Sequence, residues 1–211
     1  EPFIVGDVGR LEPCTPEFSD NVKRFAPNPI FQGIRWRDRP HYDNVDEGSF
    51  MNDMEALVEH DLVLDTGFPA VENEKGFFTL LDRLPELRVM IEHIADGPVD
   101  GKAPDSAWTD RMRRAGTYSN VWMKVSALME RSNIRPAPAD VDFYTPLVDT
   151  LWNAYGEDRL VYGSNWPVSE SAGTYTRGIQ IVKSYFSRKS EEAREKFFWK
   201  NSKQLYKWEE R

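Results

Sequence analysis

The chain has 211 residues, a formal net charge of −8 and a pI near 5.0, which disfavours nucleic acid and anionic membrane surfaces as partners, since both want a basic face. A small-molecule substrate suits this balance. The one cysteine, Cys14, cannot close an internal disulfide, and no apolar run nears the roughly 20 residues that cross a bilayer, so a cytoplasmic protein is expected.

The length suits one sizeable core, and a single domain over residues 1–211 is expected. The chain opens on Glu1, Pro2, Phe3, Ile4 and Val5, already close to strand and without an initiating methionine, so its natural start is expected upstream. Phe3 to Val8 reads as a first strand and Ile30 to Trp36 as a second, with Pro13, Pro16, Pro27 and Pro29 punctuating the loop and short helical segment between them. Phe50, Met54, Leu57 and Val58 follow helical spacing with Ser49 placed to cap them, and Leu62 to Asp65 reads as the next strand. Phe77, Leu80, Leu81 and Leu84 repeat the helical spacing and Pro85 ends that helix. Leu87 to Ile91 is then a strand that delivers Glu92 and His93 at its end. Ala107 to Ala115 reads as helix, Val121 to Val125 as strand, and Tyr144 to Tyr155 as an amphipathic helix stopped by Gly156. Leu160, Val161 and Tyr162 form a short apolar run ended by Gly163, as a buried parallel strand does. Thr174 to Phe186 and Ser190 to Trp208 read as closing helices, the second capped by Ser190 with Glu191 and Glu192 in its first turn, where they suit the helix dipole.

Six strands alternating with helices imply parallel β/α units joined by right-handed crossovers, in the α/β class. Gly163, Ser164, Asn165, Trp166 and Pro167 resemble the last barrel strand of the amidohydrolase-related lactonases, TIM-barrel metal-dependent hydrolases whose segment usually reads Gly-Ser-Asp-Trp-Pro. The resemblance runs over nearly the whole chain. Val5 and Gly6 fall near the third family strand, Gly33, Ile34 and Arg35 near the fourth, Glu92 and His93 near the sixth, and Lys124, Val125 and Ser126 near the seventh. Asn201 and Tyr206 sit at the spacing of the family's terminal helix. It implies a (β/α)8 TIM barrel that is incomplete here, with about six of its eight strands and its N-terminal units missing. The family's His-x-His pair has no counterpart, because the histidines are His41, His60 and His93.

His93 follows an apolar strand directly, so its imidazole is a candidate to meet a substrate oxygen or a metal at the C-terminal rim, as its family counterpart does. A divalent ion, zinc foremost, and a metal-free site both stay open. Asn165, at another strand end, is the second catalytic candidate. Arg35, Arg37, Lys124 and Arg131 are cations near strand ends that suit a carboxylate or a polarised carbonyl oxygen, and Trp166 joins them as a candidate substrate contact. Each cation taken singly is more simply a solvated or structural charge. Arg39 and His41 fall in the loop after Arg37, Asp65 is a spare carboxylate at a strand end, and His60 at a helix end suits the helix dipole. Phe197, Phe198, Trp199, Tyr206 and Trp208 phase as a helical face for core packing or a subunit contact, which leaves a homo-oligomer open.

The resemblance implies a hydrolase that opens a sugar lactone or related cyclic ester, with water added to the carbonyl while an aspartate at the last strand takes its proton. Asn165 stands at that aspartate's place and has no useful basicity. The alternative is a non-catalytic relative that binds a carbohydrate or small organic acid in the same pocket.

Overall fold

A computed structural model describes residues 4–36, 42, 45–46 and 48–209. Phe3, Arg37, Arg39 and His41 lie outside the described residues. Strands β1 (Asp7–Gly9), β2 (Phe31–Trp36), β3 (Val63–Thr66), β4 (Val89–Ile91), β5 (Val121–Val125) and β6 (Leu160–Tyr162) form one sheet in chain order. The β1–β2, β2–β3, β3–β4 and β5–β6 pairs are parallel. Between and after them run α1 (Phe18–Phe25), α2 (Gly48–Glu59), α3 (Glu74–Arg83), α4 (Ser106–Gly116), α5 (Leu128–Arg131), α6 (Thr145–Tyr155), α7 (Tyr175–Phe186), α8 (Glu191–Glu195) and α9 (Asn201–Tyr206). This is the α/β order of an incomplete TIM barrel, with six parallel strands. No helix among the described residues is long and apolar enough to cross a membrane.

The first strand starts later than the pattern predicts. The backbone oxygen of Val5 accepts a hydrogen bond from the Gln32 side chain at 3.0 Å, so a side chain replaces the ladder there, and the register slips between Asp7 and Val8. Ser49 lies inside α2, not at its start.

Two compact units divide the chain. One comprises residues 1–91, 118–121 and 203–211. Its aromatic core forms because strand alternation sends Trp36 toward the helices, where it meets Tyr42 at 5.0 Å and Phe50 at 5.4 Å, while Phe77 closes on Tyr42 at 5.3 Å. Arg35 stands in register with Asp65. Asp65 is buried and accepts the Tyr206 hydroxyl on both oxygens, at 2.7 and 3.0 Å.

The second unit comprises residues 92–117 and 122–202. Here α4 and α6 approach so closely that a Cβ on Gly116 would stand 2.2 Å from the Ala154 carbonyl oxygen. The tail expected as one helix is helical from Glu191 to Tyr206, but it widens into a π-type turn over Lys196–Lys200 between α8 and α9. The turn seats buried Phe197 on Phe186, with centroids 3.7 Å apart and planes 14° apart. It also aims the Asn201 amide at the Glu157 and Leu160 carbonyls, each at 2.8 Å. Ser190 caps α8 as predicted, accepting from the Ala193 backbone N–H at 3.1 Å.

Candidate functional site

Three consecutive strand ends leave their strands through left-handed backbone. After β4, His93, Ile94, Ala95 and Asp96 have φ of 51, 52, 50 and 56° in succession; Ala127 after β5 has 61° and Asn165 after β6 has 53°. Each such L-residue costs about 1–2 kcal/mol, so the surroundings must hold it in place, and strain of this kind gathers at functional sites. The turn at 93–96 is closed by Ala95 N–H to Glu92 O at 3.0 Å and Gly97 N–H to Ile94 O at 2.9 Å, and an ion pair joins Asp96 to Arg131.

These turns present a connected set of polar side chains within the second unit. Lys124 Nζ donates to Glu92 Oε1 at 3.1 Å, and the Glu92 side chain is 5% exposed. His93 Nδ1 is 2.9 Å from Ser126 Oγ, and its Nε2 is 3.9 Å from Glu92 Oε2. The Asn165 amide donates to Glu130 Oε1 at 2.7 Å. Gly163 makes the crossing over β6 feasible, since a Cβ there would sit 3.0 Å from both Lys124 Cγ and Ser126 Cβ. The connection from β5 to α5 thus holds His93 through Ser126 and Asn165 through Glu130.

Beside that connection lies a small pocket lined in part by Ser126, Glu130, Tyr162, Ser164, Ser169 and Tyr175. Its space for water is about 30 Å³, enough for one or two molecules. Ser169 is 2% exposed and its hydroxyl has no hydrogen-bond partner among the described residues. Burial, with a further contribution from Tyr175, pushes the Tyr162 phenol well above its usual range.

The other sequence candidates fall as follows. Arg131 is engaged by Asp96, and Trp166 is 61% exposed with its indole N–H donating to Glu170 Oε1 at 3.1 Å. Arg35 belongs to the other unit, as does Asp65, which Tyr206 occupies. Arg37 lies outside the described residues. Glu92 accepts a hydrogen bond from Lys124. Among the described residues, no group of three or more His, Cys, Asp and Glu is placed to hold a metal ion, so His93 belongs to no such group there. Sequence reasoning passed over Glu130 and gave Ser126 no role of its own. Glu130 sits in a Leu-Met-Glu-Arg run that looks like any helix start, and its partner Asn165 is 35 residues away, beyond the reach of local spacing.

The L-fucono-1,5-lactonase of Burkholderia ambifaria is 27% identical over 175 residues, which cover 82% of this chain and 59% of that protein's length. An amidohydrolase from Burkholderia multivorans has the same fold in two crystal structures, each with a TM-score of 0.84. One, with bound Hepes, is 19% identical and covers 97% of this chain and 74% of its own. The other, with bound zinc, is 21% identical and covers 99% and 75%. A probable 2-pyrone-4,6-dicarboxylic acid hydrolase from Acinetobacter baumannii with citric acid bound has a TM-score of 0.72 at 17% identity, covering 96% of this chain and 73% of its own. Residues 19–208, nearly all of the β/α succession and every polar side chain gathered at the ends of β4, β5 and β6, match the family described as Amidohydrolase, and the chain belongs to it.

Proposed function

We propose that this chain is a hydrolase that opens a sugar lactone or a related cyclic ester by adding water to the carbonyl. Family membership and the lactonase relative support the reaction class. The observation that carries the reading is the polar set at successive strand ends, with Lys124 and His93 both tethered to fixed partners at 3.1 and 2.9 Å. Preorganised donors of this kind stabilise a carbonyl oxygen as it takes on negative charge, and their worth grows where water is scarce. Lys124 and His93 serve that oxygen, Asn165 orients the ring, and Arg131 and Trp166 contact the outer part of the substrate. Arg35 and Arg37 stay candidates for substrate contact and take no part in this step. The donor set around His93 does not fit a metal among the described residues, and the step uses none.

The test is proton release from a panel of aldonic 1,4- and 1,5-lactones followed with a pH indicator. Turnover of one or more, lowered about 10²-fold or further by His93→Ala with the fold retained, is the expected result. No turnover on any lactone would overturn the reading. The second reading, a non-catalytic relative holding a carbohydrate or small organic acid, draws on Asn165, whose amide has no basicity. It predicts a rise in Tm with sugar acids and no hydrolysis.

A further inference from the structure

We propose that Glu130 is the general base of this site, supplying the carboxylate that Asn165 lacks. The inference rests on the hydrolase reading above. Three observations converge on Glu130. Its Oε1 accepts the Asn165 amide at 2.7 Å, so a carboxylate stands within one hydrogen bond of the position where the family's segment usually carries an acid. Its Oε2 has no hydrogen-bond partner among the described residues. Glu130 also lines the water-sized pocket that holds the buried hydroxyl of Ser169, which has no partner among the described residues, and a buried hydroxyl without a partner costs free energy unless a water or substrate group meets it. A water held there by Ser169 lies along a surface that Glu130 itself forms.

The step balances without any other reactant. Glu130 Oε2 takes a proton from water as the water oxygen bonds to the lactone carbonyl carbon and the carbonyl π pair moves onto its oxygen. Collapse of this adduct breaks the bond from that carbon to the ring oxygen, and the proton on Glu130 passes to the departing oxygen, which leaves as a hydroxyl. The open-chain hydroxy acid releases its acidic proton to solvent, and Glu130 is again a carboxylate. Asn165 keeps Oε1 occupied throughout, which fixes the direction in which Oε2 faces.

The experiment compares the parent chain with Glu130→Gln and with the double variant Glu130→Gln/Asn165→Asp, in the same proton-release assay and with Tm as a check on folding. Glutamine can still accept from Asn165, so the single variant removes basicity and keeps the contact. It should lose about 10²- to 10⁴-fold in kcat, with KM little changed. The double variant moves the carboxylate to the other side of the same hydrogen bond and should recover at least about tenfold of that loss. A structural part for Glu130 would not be rescued in this way. Glu130→Gln within about threefold of the parent overturns the inference and leaves the hydrolase reading standing, as does a loss that the double variant does not recover. A parent inactive on every lactone overturns both.

Discussion

Replacing Lys124 by methionine isolates the charge that holds Glu92 at the end of β4. Methionine preserves most of the stem that packs across Gly163, so the change is chiefly electrostatic. At 3.1 Å and an effective dielectric near 20, the gross attraction between the two charges is roughly 5 kcal/mol, much of it offset by the desolvation of both ions. What the substitution exposes is the other half of that balance: a carboxylate only 5% exposed that has lost the Lys124 cation. Breaking a fully buried pair costs about 3–5 kcal/mol, and the 19% exposure of the Lys124 side chain lets water relieve part of this, so about 2–4 kcal/mol is expected. Urea unfolding reads it as a lower midpoint with an unchanged slope. Adding Glu92→Gln removes the buried charge and should return the protein to within about 1 kcal/mol of the parent. A single-variant cost under about 0.5 kcal/mol, or a double variant no more stable than the single, would refute the reasoning.

Other expectations follow from the same geometry. Gly116→Ala places a methyl 2.2 Å from the Ala154 carbonyl oxygen and must push α4 from α6, costing about 1–3 kcal/mol in thermal or urea unfolding. Asn201→Ala deprives two carbonyls of their donor and should cost about 2–3 kcal/mol by the same measurement. Burial raises the Tyr144 phenol to about 12 and holds those of Tyr155, Tyr162 and Tyr185 above their usual range, with the hydrogen bond to Asp149 adding to the effect at Tyr185. Each folded pKa exceeds the unfolded value near 10, so this stabilisation is complete below about pH 10 and is lost as pH rises through the folded values. Phenolate absorbance at 295 nm should therefore show these four rings still protonated at pH 11, ionising together with unfolding, and independent titration near pH 10 would contradict it.

How far the sequence reaches is clearest at particular positions. Val121 to Val125 was legible to the residue, because a short, largely apolar run interrupted only by Lys124 and bounded by polar residues has few other solutions in an α/β chain. The tail was legible only as apolar spacing. Its wide turn is set by the stacking of Phe197 on Phe186 and by two carbonyls that Asn201 must meet, none of which is local. His93, Lys124 and Asn165 could be singled out because each ends or interrupts an apolar strand. What each touches could not be read.

The sequence by itself determined the alternation of strand and helix, the parallel order that alternation demands, and the family, since periodicity and short motifs are properties of neighbours along the chain. Only the tertiary structure decided that Asn165 faces a carboxylate from a helix 35 residues earlier, that His93 rests on Ser126, and that Asp65 is taken by Tyr206 from the far end of the chain. The pairings of His93 and Asn165 stand at left-handed turns after β4 and β6, where the backbone adopts a conformation that local propensity opposes and only packed and hydrogen-bonded surroundings can hold.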